Sequence, residues 1–130
     1  MLNRKEGLCL KKQCGRIGVE LRTVFMGDDL AVILSGGDRP HLGAAALGVP
    51  RPSHRDPARQ SASVSVLTLP GHRDDEFARR VAYRLAGVLG VPVLAACGIH
   101  VDALAADELV ALEALVDSML RECESALEKK

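Results

Sequence analysis

The stretch that decides the fold is SVSVLTLPGHRDDEF, residues 63–77. Ser63 to Leu69 alternates small polar and apolar residues, a period typical of a strand. Pro70, Gly71 and His72 end this strand, and Asp74-Asp75-Glu76 begins a helix, because carboxylates stabilise the positive end of a helix dipole. One face of this helix is apolar at every fourth position: Phe77, Val81, Leu85 and Leu89. The stretch therefore predicts a strand that leads directly into an amphipathic helix.

The helix ends at Gly90 and is followed by a continuous apolar strand, Val91 to Cys97. A strand, helix and strand in this order form a right-handed crossover, which joins parallel strands. Upstream, Arg16 to Met26 alternates in the same way, and Leu30 to Leu34 is a short apolar run. The turn residues between them predict an antiparallel hairpin.

Two further elements complete the predicted fold. Gly43 to Val49 is interpreted as a short strand; its alanines leave a helix as the alternative, which would still allow the strands on either side to be parallel. A long helix is predicted from about Ala106 to Leu127, with a continuous apolar stripe. The fold class is α+β, a two-layer sandwich with a mixed sheet of about five strands and two helices on one face, in the order β-β-β-β-α-β-α.

The chain length of 130 residues favours one domain. We assign residues 15–130 to it, with a flexible loop at 50–62, after a flexible or partly ordered leader at 1–14. Because the exposed face of a single sheet needs covering, we expect a homo-oligomer.

Composition excludes several classes of function. The 17 basic and 17 acidic residues cancel, and only 2% of residues are aromatic, so neither a basic surface nor base-stacking side chains favour nucleic-acid binding. The sequence contains no apolar run long enough to predict a membrane-spanning helix.

The four cysteines show no C-x-x-C spacing, which favours reduced thiols and a cytoplasmic location. Ser35 lacks the G-x-S-x-G pattern of a nucleophile, so no catalytic residue is assigned.

Three of the four histidines follow apolar, strand-like runs: His41, His72 and His100. Short turns predict that consecutive strands are antiparallel, from Arg16–Met26 through Gly43–Val49 to Ser63–Leu69, and the crossover predicts that the last strand is parallel to Ser63–Leu69. The three strands before these histidines then run in the same direction, and the histidines emerge at one edge of the sheet. Asp102 lies two residues beyond His100, where its carboxylate can orient the imidazole. Neighbouring glycines would let a ligand approach the backbone closely.

This group of side chains supports more than one interpretation. Three imidazoles can hold a divalent metal, as in catalytic zinc sites, and the candidate ligands are His41, His72, His100 and Asp102. A small metal-dependent enzyme is therefore one alternative. A histidine after a strand is also commonly a hydrogen-bonding loop residue, so a purely structural subunit is a second alternative.

Three segments resemble the LpdD-like prenylated-flavin chaperone family: LSGGDRPHLGA at 34–44, SVSVLTLPGHR at 63–73 and GIHVD at 98–102. The resemblance implies a non-catalytic accessory protein that binds, protects or delivers prenylated FMN (prFMN) as cargo. Its implied partners are a UbiD-type decarboxylase and the UbiX-type flavin prenyltransferase. It places these residues in the binding region: Gly36, Gly37, Pro40, His41, Gly43, Pro70, Gly71, His72, His100 and Asp102.

Overall fold

The computed structural model describes residues 7–70 and 74–128. These residues form six strands and two helices. In chain order they are β1 (Cys9–Cys14), β2 (Ile17–Met26), β3 (Asp29–Gly37), β4 (Ala44–Pro52), β5 (Gln60–Thr68), α1 (Asp75–Leu89), β6 (Val93–His100) and α2 (Ala106–Glu128).

The strands form one mixed sheet in the order β1-β2-β3-β6-β4-β5. The hairpins β2–β3 and β4–β5 are antiparallel, as the sequence predicts, and β3 pairs in parallel with β6. The last strand, β6, lies between β3 and β4 and is antiparallel to β4. The α+β fold class with a mixed sheet and two helices is thus confirmed.

Because apolar and polar residues alternate along the strands, every second side chain is apolar and faces the helices. Leu30, Val32 and Leu34 of β3 are buried on this side, beside Val93 and Ala95 of β6. Helix α1 packs on β4, β5 and β6, and α2 packs on α1 and β1. The opposite side of the sheet, called the open face below, is covered by no helix in the described parts of the chain.

The edge strand β1 was not predicted. Cys9–Cys14 lies in the segment expected to be a flexible or partly ordered leader, yet it pairs along its whole length with β2. Its sequence, CLKKQC, lacks an apolar alternation because an edge strand in contact with solvent can carry polar side chains, and lysines there oppose pairing with other chains.

Two loops are shorter than expected. The 50–62 segment contributes to both strands of a hairpin, in which Pro52 is paired with Gln60, so the loop itself is confined to 53–59. Gly36 and Gly37, expected in a loop after the second predicted strand, are the last residues of β3 and pair with Ile99 and His100. The glycines do not end this strand because its partner β6 also continues to this point.

Helix α1 ends where the sequence predicts. Gly90 adopts a left-handed conformation with φ of 69°, and its N–H donates to the carbonyl of Ala86.

Across residues 7–70 and 74–128, neither helix combines the length and apolar composition that crossing a membrane would require.

Candidate ligand-binding site at the carboxyl edge of the sheet

Three strands end at the same edge of the sheet. Strand β6 is parallel to β3, and both β5 and β6 are antiparallel to β4, so β3, β5 and β6 share one direction. Gly37, Thr68 and His100 therefore lie at one edge, called the carboxyl edge below. The predicted common direction of the three strands is confirmed.

This topology brings His41 and His100 together. Their ring centroids are 6.2 Å apart, and the rings meet edge to face at 73°. His100 is the last residue of β6, and His41 lies in the segment between β3 and β4. His72 and Gly71 lie outside the described residues, so the third histidine of the predicted group stays a prediction.

His41 pairs with a buried carboxylate. Its Nε2 lies 3.1 Å from Oδ2 of Asp74, the residue that precedes α1 and is 4% exposed. Asp74 Oδ1 accepts a hydrogen bond of 2.9 Å from the backbone N–H of Ile99 in β6. His41 Nδ1 lies 3.1 Å from the carbonyl oxygen of Arg39. Both ring nitrogens thus face acceptors of the chain, and the imidazole joins the 38–43 segment to the start of α1.

His100 belongs to an exposed group. Its Nε2 lies 2.8 Å from Asp102 Oδ1 and 3.0 Å from Nη2 of Arg39, which is itself 3.6 Å from that carboxylate oxygen. Nε2 carries at most one hydrogen, so it either donates to the carboxylate or accepts from the guanidinium. The hydrogen bond from His100 is the largest cause that lowers the pKa of Asp102, and the charge of Arg39 adds to it.

A second arginine fixes the loop that carries Asp102. Arg16 donates to both carboxylate oxygens of Glu108, at 2.8 and 3.1 Å, and to the carbonyl oxygen of Asp102 at 2.8 Å. The hydrogen bond from Arg16 lowers the pKa of Glu108 to about 2. Asp38 accepts a hydrogen bond of 2.8 Å from the N–H of Asp102. The turn between β1 and β2 therefore positions the exposed group from the side of α2.

The glycines at this edge accommodate the chain itself. A Cβ atom at Gly36 would overlap the carbonyl oxygen of Gly18, and one at Gly37 would overlap that of His100. At Gly98 it would overlap the carbonyl oxygen of His41, and at Gly43 the carboxylate of Asp74. These glycines let strands and loops pack closely around the two histidines. The expectation that a ligand also approaches the backbone at these glycines stays a prediction.

Two grooves flank the 38–42 segment. One, of about 320 Å³, is lined by Arg39, His41, Leu42 and His100. The other, of about 430 Å³, lies on the open face and is lined by Lys11, Lys12, Gln13, Gly18, Val19, Glu20, Ser35, Gly36, Gly37 and Pro40. Of the residues expected in the binding region, Gly36, Gly37, Pro40, His41 and His100 line these grooves. Pro70, at the end of the described segment, lines neither.

Sequence reasoning missed three residues of this site. Asp74 was assigned to the acidic first turn of α1, but its carboxylate is the acceptor for His41 and β6. Arg39 and Arg16 were unassigned because a single arginine in a loop has no pattern that distinguishes it. Asp74 stands between Arg73 and Asp75 in a motif that also contains a histidine, and this is the one signal that indicated a polar cluster.

The described residues contain no group of three or more metal-ligating side chains. Of the two histidines described at the carboxyl edge, His41 already directs both ring nitrogens to chain acceptors. The cysteines are free thiols, and burial raises the pKa of Cys97 and raises that of Cys123 to about 12. Neither buried thiol has the lowered pKa of a reactive cysteine.

The fold and this edge define a small two-layer α+β protein whose charged and imidazole groups converge at one end of its sheet. Over residues 13–128 the chain matches the model of the prenylated flavin chaperone LpdD-like domain, and it belongs to that family. No curated protein matches the sequence.

Among solved structures, the chain is similar to a chain of a chaperone complex for yeast 20S proteasome assembly, with a TM-score of 0.58. The two share 13% sequence identity, and the similarity covers 94% of each chain. At this identity the similarity shows that the two chains share a fold, and it gives no information about a ligand.

Proposed function

We propose that the protein binds prenylated FMN at the carboxyl edge as cargo and delivers it to a UbiD-type decarboxylase in the cytoplasm. The observation that carries the proposal is the convergence of Arg39, His41 and His100 around one groove in a chain of the prenylated-flavin chaperone family. The cargo would be received from a UbiX-type flavin prenyltransferase.

The donor groups fit an anionic flavin. A flavin phosphate carries negative charge, and a guanidinium is the side chain best suited to hold it with two parallel hydrogen bonds. Arg39 is largely exposed at 73%, and its contacts with His100 and Asp102 share the single nitrogen Nη2. The guanidinium has further N–H groups for a ligand. Leu42, which is 58% exposed, offers an apolar surface for the ring system.

The shape of the site suits temporary binding. Ligand sites that enclose a whole small molecule usually measure about 300–1,000 Å³. A groove of about 320 Å³ lies at the lower end of that range, so it holds part of a flavin nucleotide and leaves the rest accessible. A carrier that must release its cargo to an enzyme benefits from such partial enclosure.

The proposal is tested by titrating the purified protein with oxidised prFMN and following flavin absorbance and fluorescence. Saturable binding is expected, and Arg39→Ala should weaken it about 10-fold or more, because a charged hydrogen bond to the phosphate is lost. His54→Ala is the matched control, since His54 lies in the loop between β4 and β5. The absence of any saturable signal with the unmodified protein would refute the proposal.

Delivery is tested with an apo UbiD-type decarboxylase. The prFMN-loaded protein should restore decarboxylation faster than the same concentration of free prFMN, and the Arg39→Ala protein should lose this advantage. If variants alter decarboxylase activity only in proportion to their own loss of stability, the protein is a structural subunit instead of a carrier.

A further inference from the structure

The two edges of the sheet differ in their protection against further pairing. The strand order places β1 at one edge and β5 at the other. Lys11 and Lys12 lie on β1, and charged side chains on an edge strand oppose the addition of another strand. The nine residues of β5, QSASVSVLT, include no charged residue and no proline, and all of them pair with β4 in unbroken register. The free edge of β5 is therefore a template for a further strand.

The backbone groups at this free edge follow from the register of β5 on β4. The N–H of Leu69, just after β5, donates to the carbonyl oxygen of Gly43 at 2.9 Å. Because bonded and non-bonded pairs alternate along an antiparallel ladder, the odd-numbered residues of β5 bond to β4. The N–H and C=O groups of Ala62, Val64 and Val66 then point away from β4, toward the free edge.

A groove of about 530 Å³ follows this free edge and continues onto the neighbouring helix. It is lined from β5 by Ala62 and Val64, and from α1 by Glu76, Arg79, Arg80 and Tyr83. Since the strand edge and the helix line one groove, a strand added to β5 would lie beside α1. The ring of Tyr83, which is 48% exposed, offers such a strand an apolar contact.

The groove carries mainly positive charge, because three arginines and one glutamate line it. Arg51 reaches it from β4 and donates to Ser63 Oγ at 2.8 Å, and Arg80 forms ion pairs of 3.6 and 3.7 Å with two carboxylates of α2. Arg79 is exposed, and in the described parts of the chain it has neither an ion pair nor a hydrogen-bond partner. A partner with carboxylate side chains would supply the complementary charge.

We propose that an extended acidic segment of a partner protein adds to β5 as a further strand and places a carboxylate at Arg79. Main-chain hydrogen bonds to the free edge provide the affinity of such an addition, and side chains provide its selectivity. A guanidinium binds a carboxylate through two parallel hydrogen bonds. A second copy of this chain fits less well, since pairing β5 with β5 would bring two arginine-lined grooves together, and like charges oppose association.

This surface is separate from the candidate ligand site. The groove beside β5 shares no lining residue with the two grooves at the carboxyl edge. A partner bound to β5 would therefore leave the carboxyl edge accessible.

The charge requirement is tested with two fluorescent peptides of nine residues, the length of β5. In one peptide aspartate alternates with threonine, which favours an extended chain, and in the other lysine replaces aspartate. By fluorescence anisotropy the acidic peptide should bind saturably and at least about 10-fold more tightly than the basic one. Arg79→Glu should weaken the acidic peptide about 10-fold or more. The matched control, Arg121→Glu, reverses the same charge at an exposed position of α2 and should leave binding unchanged.

The strand addition itself is tested by amide hydrogen exchange of the complex, measured by NMR. The amides of Ala62, Val64 and Val66 should gain protection, because the added strand supplies their acceptors. Those of Ser63 and Ser65, which already bond to β4, should change little.

No saturable binding of the acidic peptide, equal binding of the two peptides, or normal binding by Arg79→Glu overturns the acidic partner. Binding that depends on Arg79 but leaves the amides of Ala62, Val64 and Val66 unprotected overturns the strand addition. No flavin takes part in these measurements, so their failure leaves the proposed function standing.

Discussion

The two histidine–aspartate pairs at the carboxyl edge consist of the same side chains in different surroundings. In the His41–Asp74 pair the side chains are 22% and 5% exposed, and in the His100–Asp102 pair they are 37% and 66% exposed. A buried carboxylate must keep all its hydrogen bonds, whereas an exposed ion pair contributes little to stability because water screens it. Burial therefore assigns the first pair to holding the fold and leaves the second available to a ligand.

The largest effect is expected from Asp74→Ala. It removes the acceptor for the Ile99 N–H and the partner of His41 in a buried position, so the free energy of unfolding should fall by about 3 kcal/mol. Urea denaturation followed by circular dichroism measures this. Asp75→Ala, at the first residue of α1, should cost less than about 1 kcal/mol. Equal losses in the two variants would contradict a special role for the buried pair.

The next effect concerns Gly98, which lies between the two pairs. The added Cβ of Gly98→Ala would overlap the carbonyl oxygen of His41. Because the His41 backbone can shift away from the new atom only at a cost in free energy, we expect the free energy of unfolding to fall by about 2 kcal/mol. Gly18→Ala is the control, because a Cβ there meets nothing within 4 Å. If both alanine variants are equally stable, the close packing of the 38–43 segment on β6 is wrong.

A direct comparison of the histidines should separate the pairs. His41→Ala leaves a buried carboxylate without its imidazole and should cost about 1–2 kcal/mol of unfolding free energy. His100→Ala removes an exposed partner and should cost about 0.5 kcal/mol or less. Chemical denaturation gives both values. In prFMN titrations the His100 variant should nevertheless show weakened binding, and a His100 variant with normal affinity but large destabilisation would reverse the assignment of roles.

The smallest effect is on the acid titration of Asp102. Its pKa is lowered from 3.8, chiefly by the hydrogen bond from His100. A carboxyl whose pKa is lower in the folded state stabilises the fold above its ordinary pKa, and this contribution is lost as the pH falls through the folded value. In His100→Ala the Asp102 carboxyl should titrate closer to 3.8, as measured by carbon-detected NMR, while His54→Ala should leave it unchanged. An unaltered titration in the His100 variant would show that the hydrogen bond is not the cause.

The sequence predicted the features that depend on local patterns. Three features were enough to fix the strand directions: the alternation in Arg16 to Met26, the short turns that make successive strands antiparallel up to Ser63–Leu69, and the strand-helix-strand pattern of residues 63–97. From these directions the meeting of His41 and His100 followed without any knowledge of which strands are neighbours. The spacing of His100 and Asp102 on an extended segment likewise predicted their contact.

Features that depend on long-range packing could not be predicted in this way. Strand β1 is polar because it lies at the edge, so its sequence has no apolar period to detect. The position of β6 between β3 and β4 depends on pairing between residues distant in sequence. Asp74 lies in an acidic helix start, where a carboxylate is ordinarily exposed, and only the tertiary structure shows that it is buried beneath His41.

The central position of β6 also bears on how the chain folds. The hairpins β2–β3 and β4–β5 consist of local contacts, but they become one sheet only when residues 93–100 are inserted between them. Because that pairing joins segments distant in sequence, closing the sheet is expected to be the slow step of folding. During synthesis on the ribosome, both hairpins would be exposed with unpaired edges until β6 emerges. The chain would thus be most vulnerable to aggregation before its second-to-last element is made.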